Sequence, residues 1–154
     1  MGRTPWTLTS SIIKLGRKIG QPKEKMNYSS DRQFRIWNYS VSHSTLFLRS
    51  YVFEESKDGK QITNDTIDIE FWAVSYIDLP DTMDGLKIKL MSSDYPDRLK
   101  DKIKFDLKVF ELTNNQGTSY VIAGGCIVGK SSWDHDKGRF ENLTLNYPEI
   151  LATL

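Results

Sequence analysis

The chain is poor in the residues that staple, ligate or anchor. Among its 154 residues there is one cysteine, Cys126, and there are two histidines, His43 and His135. A lone thiol excludes an internal disulfide and suits a reducing compartment. Two distant imidazoles and one thiol are thin supply for zinc, which takes three or four clustered ligands. The reading is therefore no metal and no cofactor. No apolar run approaches the roughly 18 residues of a membrane helix, and the N-terminus lacks the compact apolar block of a signal peptide. The expectation is a cytoplasmic protein without a membrane partner. An excess of one charge is missing as well. The net charge is +1, so the folded part carries no basic footprint for nucleic acid.

That small total hides a division. Residues 1–32 hold seven basic side chains against two acidic ones, a balance of +5, which leaves −4 on the remainder. Residues 1–29 read as a basic leader, an extension or tag, with Met26 as an alternative start. Residues 30–154 read as a single β-rich domain, long enough to bury roughly 70% of its unfolded surface. Within the leader Leu8, Ile12, Leu15 and Ile19 recur at helical spacing, and Gly20 and Pro22 end the pattern. The leader is thus a short amphipathic helix or a disordered segment, since isolated helices of this length are marginal in water.

Beyond Met26 the period becomes two. Strand-like runs cover 33–41, 45–53, 66–77, 86–91, 103–112, 119–128 and 139–145, with turn signals between them. Leu86, Ile88 and Leu90 face one way, and Lys87 and Lys89 the other. Ile103, Phe105, Leu107 and Val109 share a face in the same manner. Residues 92–102 form a loop or at most one helical turn. Such spacing predicts a mainly-β fold, an antiparallel β-sandwich or partly closed barrel of about seven strands.

Few groups offer chemistry. Ser42-His43-Ser44 lies in a strand-like run, where alternation puts the serines on one face and His43 on the other. In a regular strand His43 cannot serve either neighbour as a base, and no G-x-S-x-G signature is present. The triplet reads as a polar bend whose hydroxyls satisfy backbone groups. Around His135, the loop W-D-H-D-K-G fails the register of a calcium loop. Its glycine falls fifth from Asp134, where the sixth place is needed, and the twelfth place is Leu145. Asp68 and Glu70 share a strand face roughly 7 Å apart. Paired carboxylates can serve glycoside hydrolysis, but a solvated face with Lys87 and Lys89 opposite is the simpler reading. Cys126, in an apolar run, reads as a buried structural thiol.

The aromatic residues carry more. Trp37, Tyr39, Phe47, Tyr51, Phe53, Trp72 and Tyr76 gather in the first three strands. On 66–77, Ile67, Ile69, Phe71 and Ala73 share one face, while Trp72, Val74 and Tyr76 lie beside Asp68 and Glu70. One face fills the core, so the second needs cover from the leader, the C-terminal tail or a partner. Trp, Tyr and Arg are enriched at binding hot spots. The candidate binding residues are Trp37, Tyr39, Arg49, Tyr51, Trp72 and Tyr76.

The segment W-N-Y-S-V-S-H-S-T-L-F-L-R-S, Trp37 to Ser50, is similar to a segment of small uncharacterised bacterial proteins. The resemblance covers about a tenth of the chain and implies a bacterial cytosolic source, but no activity or site. The functional expectation is a non-catalytic cytosolic protein-binding module, of immunity type from its size and solubility, acting through the aromatic sheet face. A small-ligand-binding β-sandwich or barrel is the alternative, and a hydrolase with an unrecognised site the second. The expected partner is a protein, with a homo-oligomer left open.

Overall fold

The computed structural model describes residues 27–56, 59–133 and 136–154, with the backbone alone over 51–64. The leader pattern of Leu8 to Ile19 and the Asp134-His135 pair lie outside the described residues. Nine strands form one antiparallel sheet: β1 (Asn27–Ser40), β2 (Thr45–Ser56), β3 (Gly59–Trp72), β4 (Tyr76–Ile77), β5 (Thr82–Met91), β6 (Lys108–Asn114), β7 (Gly117–Ala123), β8 (Gly125–Ser131) and β9 (Glu149–Thr153). A single turn of helix, α1 (Asp97–Lys100), lies between β5 and β6. The order across the sheet is β4-β7-β6-β5-β1-β2-β3-β8-β9, and the sheet does not close into a barrel.

Alternation explains most of these strands. Ile67, Ile69 and Phe71 of β3 and Leu86 and Ile88 of β5 all enter one core cluster. The sheet must curl strongly to bring them together. Phe71 on β3 and Phe110 on β6 stand four strand positions apart, roughly 19 Å on a flat sheet. Their ring centroids nevertheless meet edge to face at 5.4 Å.

The curl is made at a corner where two strands break. Ala73 takes a left-handed φ of 53° between β3 and β4. Gly124 separates β7 from β8 and donates its N–H to the Trp72 carbonyl at 2.7 Å. Val74 N–H donates to Ser44 O, and Ser75 N–H donates to Ile122 O, across the same corner. The strand count exceeds the expected seven in part because these two runs are each interrupted. The corner also overturns the face assigned to Val74. Left-handed Ala73 resets the alternation, so Val74 joins the core cluster and leaves Trp72 on the opposite face.

Two further expectations fail. Residues 139–145 form turns rather than a strand, and the last strand is Glu149–Thr153. Lys87 and Lys89 do not oppose Asp68 and Glu70, because β1 and β2 stand between β5 and β3. Lys87 pairs in register with Ser29 and Thr113, and Lys89 with Asn27 and Glu111.

Candidate functional site

The face of β1-β2-β3-β8 that looks away from the core carries Phe47, Arg49, Asp68, Glu70, Trp72, Gly125 and Gly129. Register sets Phe47 beside Glu70, Arg49 beside Asp68, and Gly129 and Gly125 beside Asp68 and Trp72. Cover for this face comes from the connection between β8 and β9, which crosses it as a strap.

Two arginines tie strap and sheet together. Arg49 is 2% exposed and donates from Nε and Nη2 to the two carboxylate oxygens of Asp68, at 2.6 and 2.7 Å. Its guanidinium lies 5.4 Å from the Trp37 ring centre and 4.8 Å from that of Phe140 on the strap. Alternation from Arg35, the register partner of Arg49, sets Trp37 on the same face. The bulge between Ile36 and Asn38 makes Trp37 an extra residue there, so that Asn38 then pairs with Phe47 and Tyr39 with Leu46. Gly138 makes room for the same guanidinium, since a Cβ there would stand 2.3 Å from Nη2. Burial pushes the Asp68 carboxyl above its ordinary range, opposed by the Arg49 hydrogen bonds and charge.

The second arginine, Arg139 on the strap, donates from Nε to Glu70 Oε2 at 2.8 Å and from Nη2 to Oε1 at 3.3 Å. Its Nη1 donates to the carbonyls of Leu143 and Leu145 and so folds the strap back on itself. Tyr147 O–H donates to Glu70 Oε2 at 3.1 Å. Burial, then the nearby Asp68 and Glu70 charges, push the Tyr147 phenol well above its ordinary value. The Tyr147 ring lies flat on Gly129, with Trp133 stacked on it at 5.5 Å. Ring, ring and bare backbone form three layers, and only glycine leaves space for the lowest.

One end of this face stays open. Extending the β2–β3 register by one residue sets Thr45 opposite Trp72, and Ser40 pairs with Thr45. Trp72 lies across Gly125, where a Cβ would stand 2.1 Å from the indole, and remains 40% exposed. Beside this end a cleft of about 280 Å³ is lined by Ser40, Ser42, His43, Thr45, Phe47, Phe140, Glu141, Asn142 and Leu143.

Here the expected bend at Ser42-His43-Ser44 is present between β1 and β2, while the opposite-face placement of His43 that a regular strand would impose is overturned. Residues 41–44 are a hairpin turn, and His43 Nδ1 lies 3.0 Å from Ser40 Oγ and 3.1 Å from Ser42 Oγ. The neighbouring hydroxyl therefore does meet the imidazole, rather than the backbone, because the turn breaks the alternation. Among the described residues no carboxylate hydrogen-bonds the ring, so the orienting third member of a triad is missing from this contact. Asp68 and Glu70 are both engaged by arginine beneath the strap, and no described cluster of three His, Cys, Asp or Glu side chains could hold a metal. Cys126 is buried, and burial pushes its thiol far up, away from nucleophilic character.

The six candidate binding residues fall in different places. Trp37 and Arg49 meet beneath the strap. Trp72, 40% exposed, sits at the open end, whereas Tyr39, 41% exposed, pairs with the core residue Leu46 and so lies on the opposite face of the sheet. Tyr76 lies elsewhere, on the face under α1, where its hydroxyl donates to Asp78 and accepts from Arg98. The Tyr51 side chain is outside the described residues.

The strap residues Arg139, Phe140 and Tyr147 escaped sequence reasoning. Gly125 and Gly129, four apart on one strand face, were the available sign that large rings lie across that strand. No family model, curated protein or solved structure matches the chain.

Proposed function

We propose that the protein is a small non-catalytic protein-binding module of the cytosol, and that it meets its partner at the open end of the strapped face. One observation carries this reading. Of the five large apolar side chains exposed among the described residues, three belong to that end: Val41 in the hairpin turn, Trp72 across from Thr45, and Leu143 in the wall of the cleft. The cleft beside them has apolar walls from Phe47, Phe140 and Leu143, with Ser40, Ser42, His43, Glu141 and Asn142 as its polar lining. Apolar centre and polar rim are the anatomy of a protein interface. The buried ion pairs beneath the strap give the patch a fixed base. The corner joining the two halves of the curled sheet supports a partly closed barrel as the description of the scaffold.

Affinity capture with the full chain and with Val41→Asp and Leu143→Asp tests this. The expected result is one captured species, lost with either substitution. Capture indifferent to both would overturn the reading. The cleft itself favours one alternative, a small ligand held against the touching Phe47 and Phe140 rings. In that case a low-molecular-weight compound would copurify with the wild type and not with a cleft-filling Thr45→Trp variant.

A further inference from the structure

Period-two reading places Phe105 inward with Ile103, Leu107 and Val109. The structure turns it outward. Leu107 N–H donates to Lys104 O at 3.1 Å and closes a four-residue turn. Phe105 occupies the first central position with a left-handed φ of 56°, and it is 98% exposed. Positive φ there is met by Gly, Asn or Asp in ordinary turns. For a bulky residue it is an outlier of the sort that collects at functional sites. The turn stands on a fixed base, because Ile103 and Leu107 pack with Leu99 and Val109 in a second core cluster.

At the foot of this turn lies a groove of about 260 Å³ lined by Leu90, Met91, Tyr95, Ile103, Leu107 and Val109. That is just under the roughly 300 Å³ at which drug-sized pockets begin, a size suited to one aromatic ring. We propose that this is a self-recognition patch: two copies of the chain pair about a two-fold axis, each seating Phe105 in the groove of the other.

Knob and hole lie side by side on one surface, which is the condition for a closed, isologous pair rather than an open chain of contacts. Charge supports the same symmetry. Lys104 and Asp106 flank the ring and are both exposed. A two-fold axis sets each lysine against the partner copy's aspartate, giving complementary potentials. Two buried rings with matching groove walls amount to roughly 800 Å². This is below the ~1,200 Å² of stable specific interfaces, so the pair is weak and transient. The patch stands on the β5-β6-β7 half of the sheet and does not depend on the hairpin end.

Sedimentation equilibrium of the full chain from about 10 μM to about 1 mM tests the proposal. The wild type is expected to show a monomer–dimer equilibrium within that range. Phe105→Gly should weaken association at least about tenfold with no fall in Tm, since glycine accepts the backbone conformation. Lys104→Glu should weaken the pair, and adding Asp106→Lys to it should restore the pair. Three results would each overturn the proposal: a wild type monomeric throughout, a dimer indifferent to Phe105→Gly, or a charge swap that fails to restore. A monomer that instead pellets with phosphatidylserine–phosphatidylcholine vesicles through Phe105 would assign the ring to lipid and overturn it equally.

Discussion

Replacing Arg49 by methionine keeps an unbranched apolar stem and removes the guanidinium and its charge. Three things are lost together: two charge-assisted bonds to Asp68, the contacts to Trp37 and Phe140, and the partner of a carboxylate that is itself buried. Charged hydrogen bonds contribute about 1.5–3 kcal/mol each, but these terms overlap. The unpaired Asp68 dominates the outcome, and breaking a buried pair from one side costs about 3–5 kcal/mol. For a chain of this size that is a fall in Tm of roughly 6–20 °C. Arg49→Met combined with Asp68→Leu removes both charges and should recover most of the loss, because replacing a whole buried pair with apolar groups is often neutral. Urea denaturation of the wild type, the two single variants and the double variant completes the cycle. The expected coupling is at least about 2 kcal/mol. A single-variant cost under about 1 kcal/mol, the level of an exposed pair, would refute the picture of a sealed ion pair beneath the strap. So would a double variant as unstable as the sum of the singles.

The strap's other anchor is testable in two ways. Gly129→Ala would bring a Cβ within 2.2 Å of the Tyr147 ring, so it should cost about 1–3 kcal/mol by overpacking. Most of that penalty should vanish in a Tyr147→Ala background; equal penalties in both backgrounds would show that the ring does not rest there. Tyr147 also predicts an alkaline limit. Its folded pKa is raised above the ordinary 10.0, so above about pH 10 the native state binds more protons than the unfolded one and stability falls as pH rises. Chemical denaturation at stepped alkaline pH should show a shallower fall for Tyr147→Phe than for the wild type.

What the sequence revealed was what alternation can carry. Ile67-x-Ile69-x-Phe71 and Leu86-x-Ile88 announced both strands and their inward faces, because a sheet with one buried face imposes period two. The order of strands is not a local property, and Lys87 and Lys89 were paired with the wrong carboxylates for that reason. Ala73 and Phe105 were opaque for another. Each adopts a positive φ without being glycine, and neither residue type announces that conformation. Residues 139–145 mimic a strand through Phe140, Leu143 and Leu145. Their turns are instead fixed by Arg139 gripping two carbonyls and by Asn142 accepting from Thr144 N–H and Oγ1–H. The strapped face was half legible. Its need for cover could be read from Trp37, Phe47 and Trp72, but the identity of the cover required the fold.

Among the described residues the sheet ends in strands of two residues at β4 and five at β9. A foreign chain lying along the β4 rim would find almost no free main-chain ladder to complete. Lengthening of the sheet by a visiting strand, a common route both to peptide capture and to aggregation, is therefore poorly served on that side. Extended peptides should make poor baits there, and folded surfaces better ones.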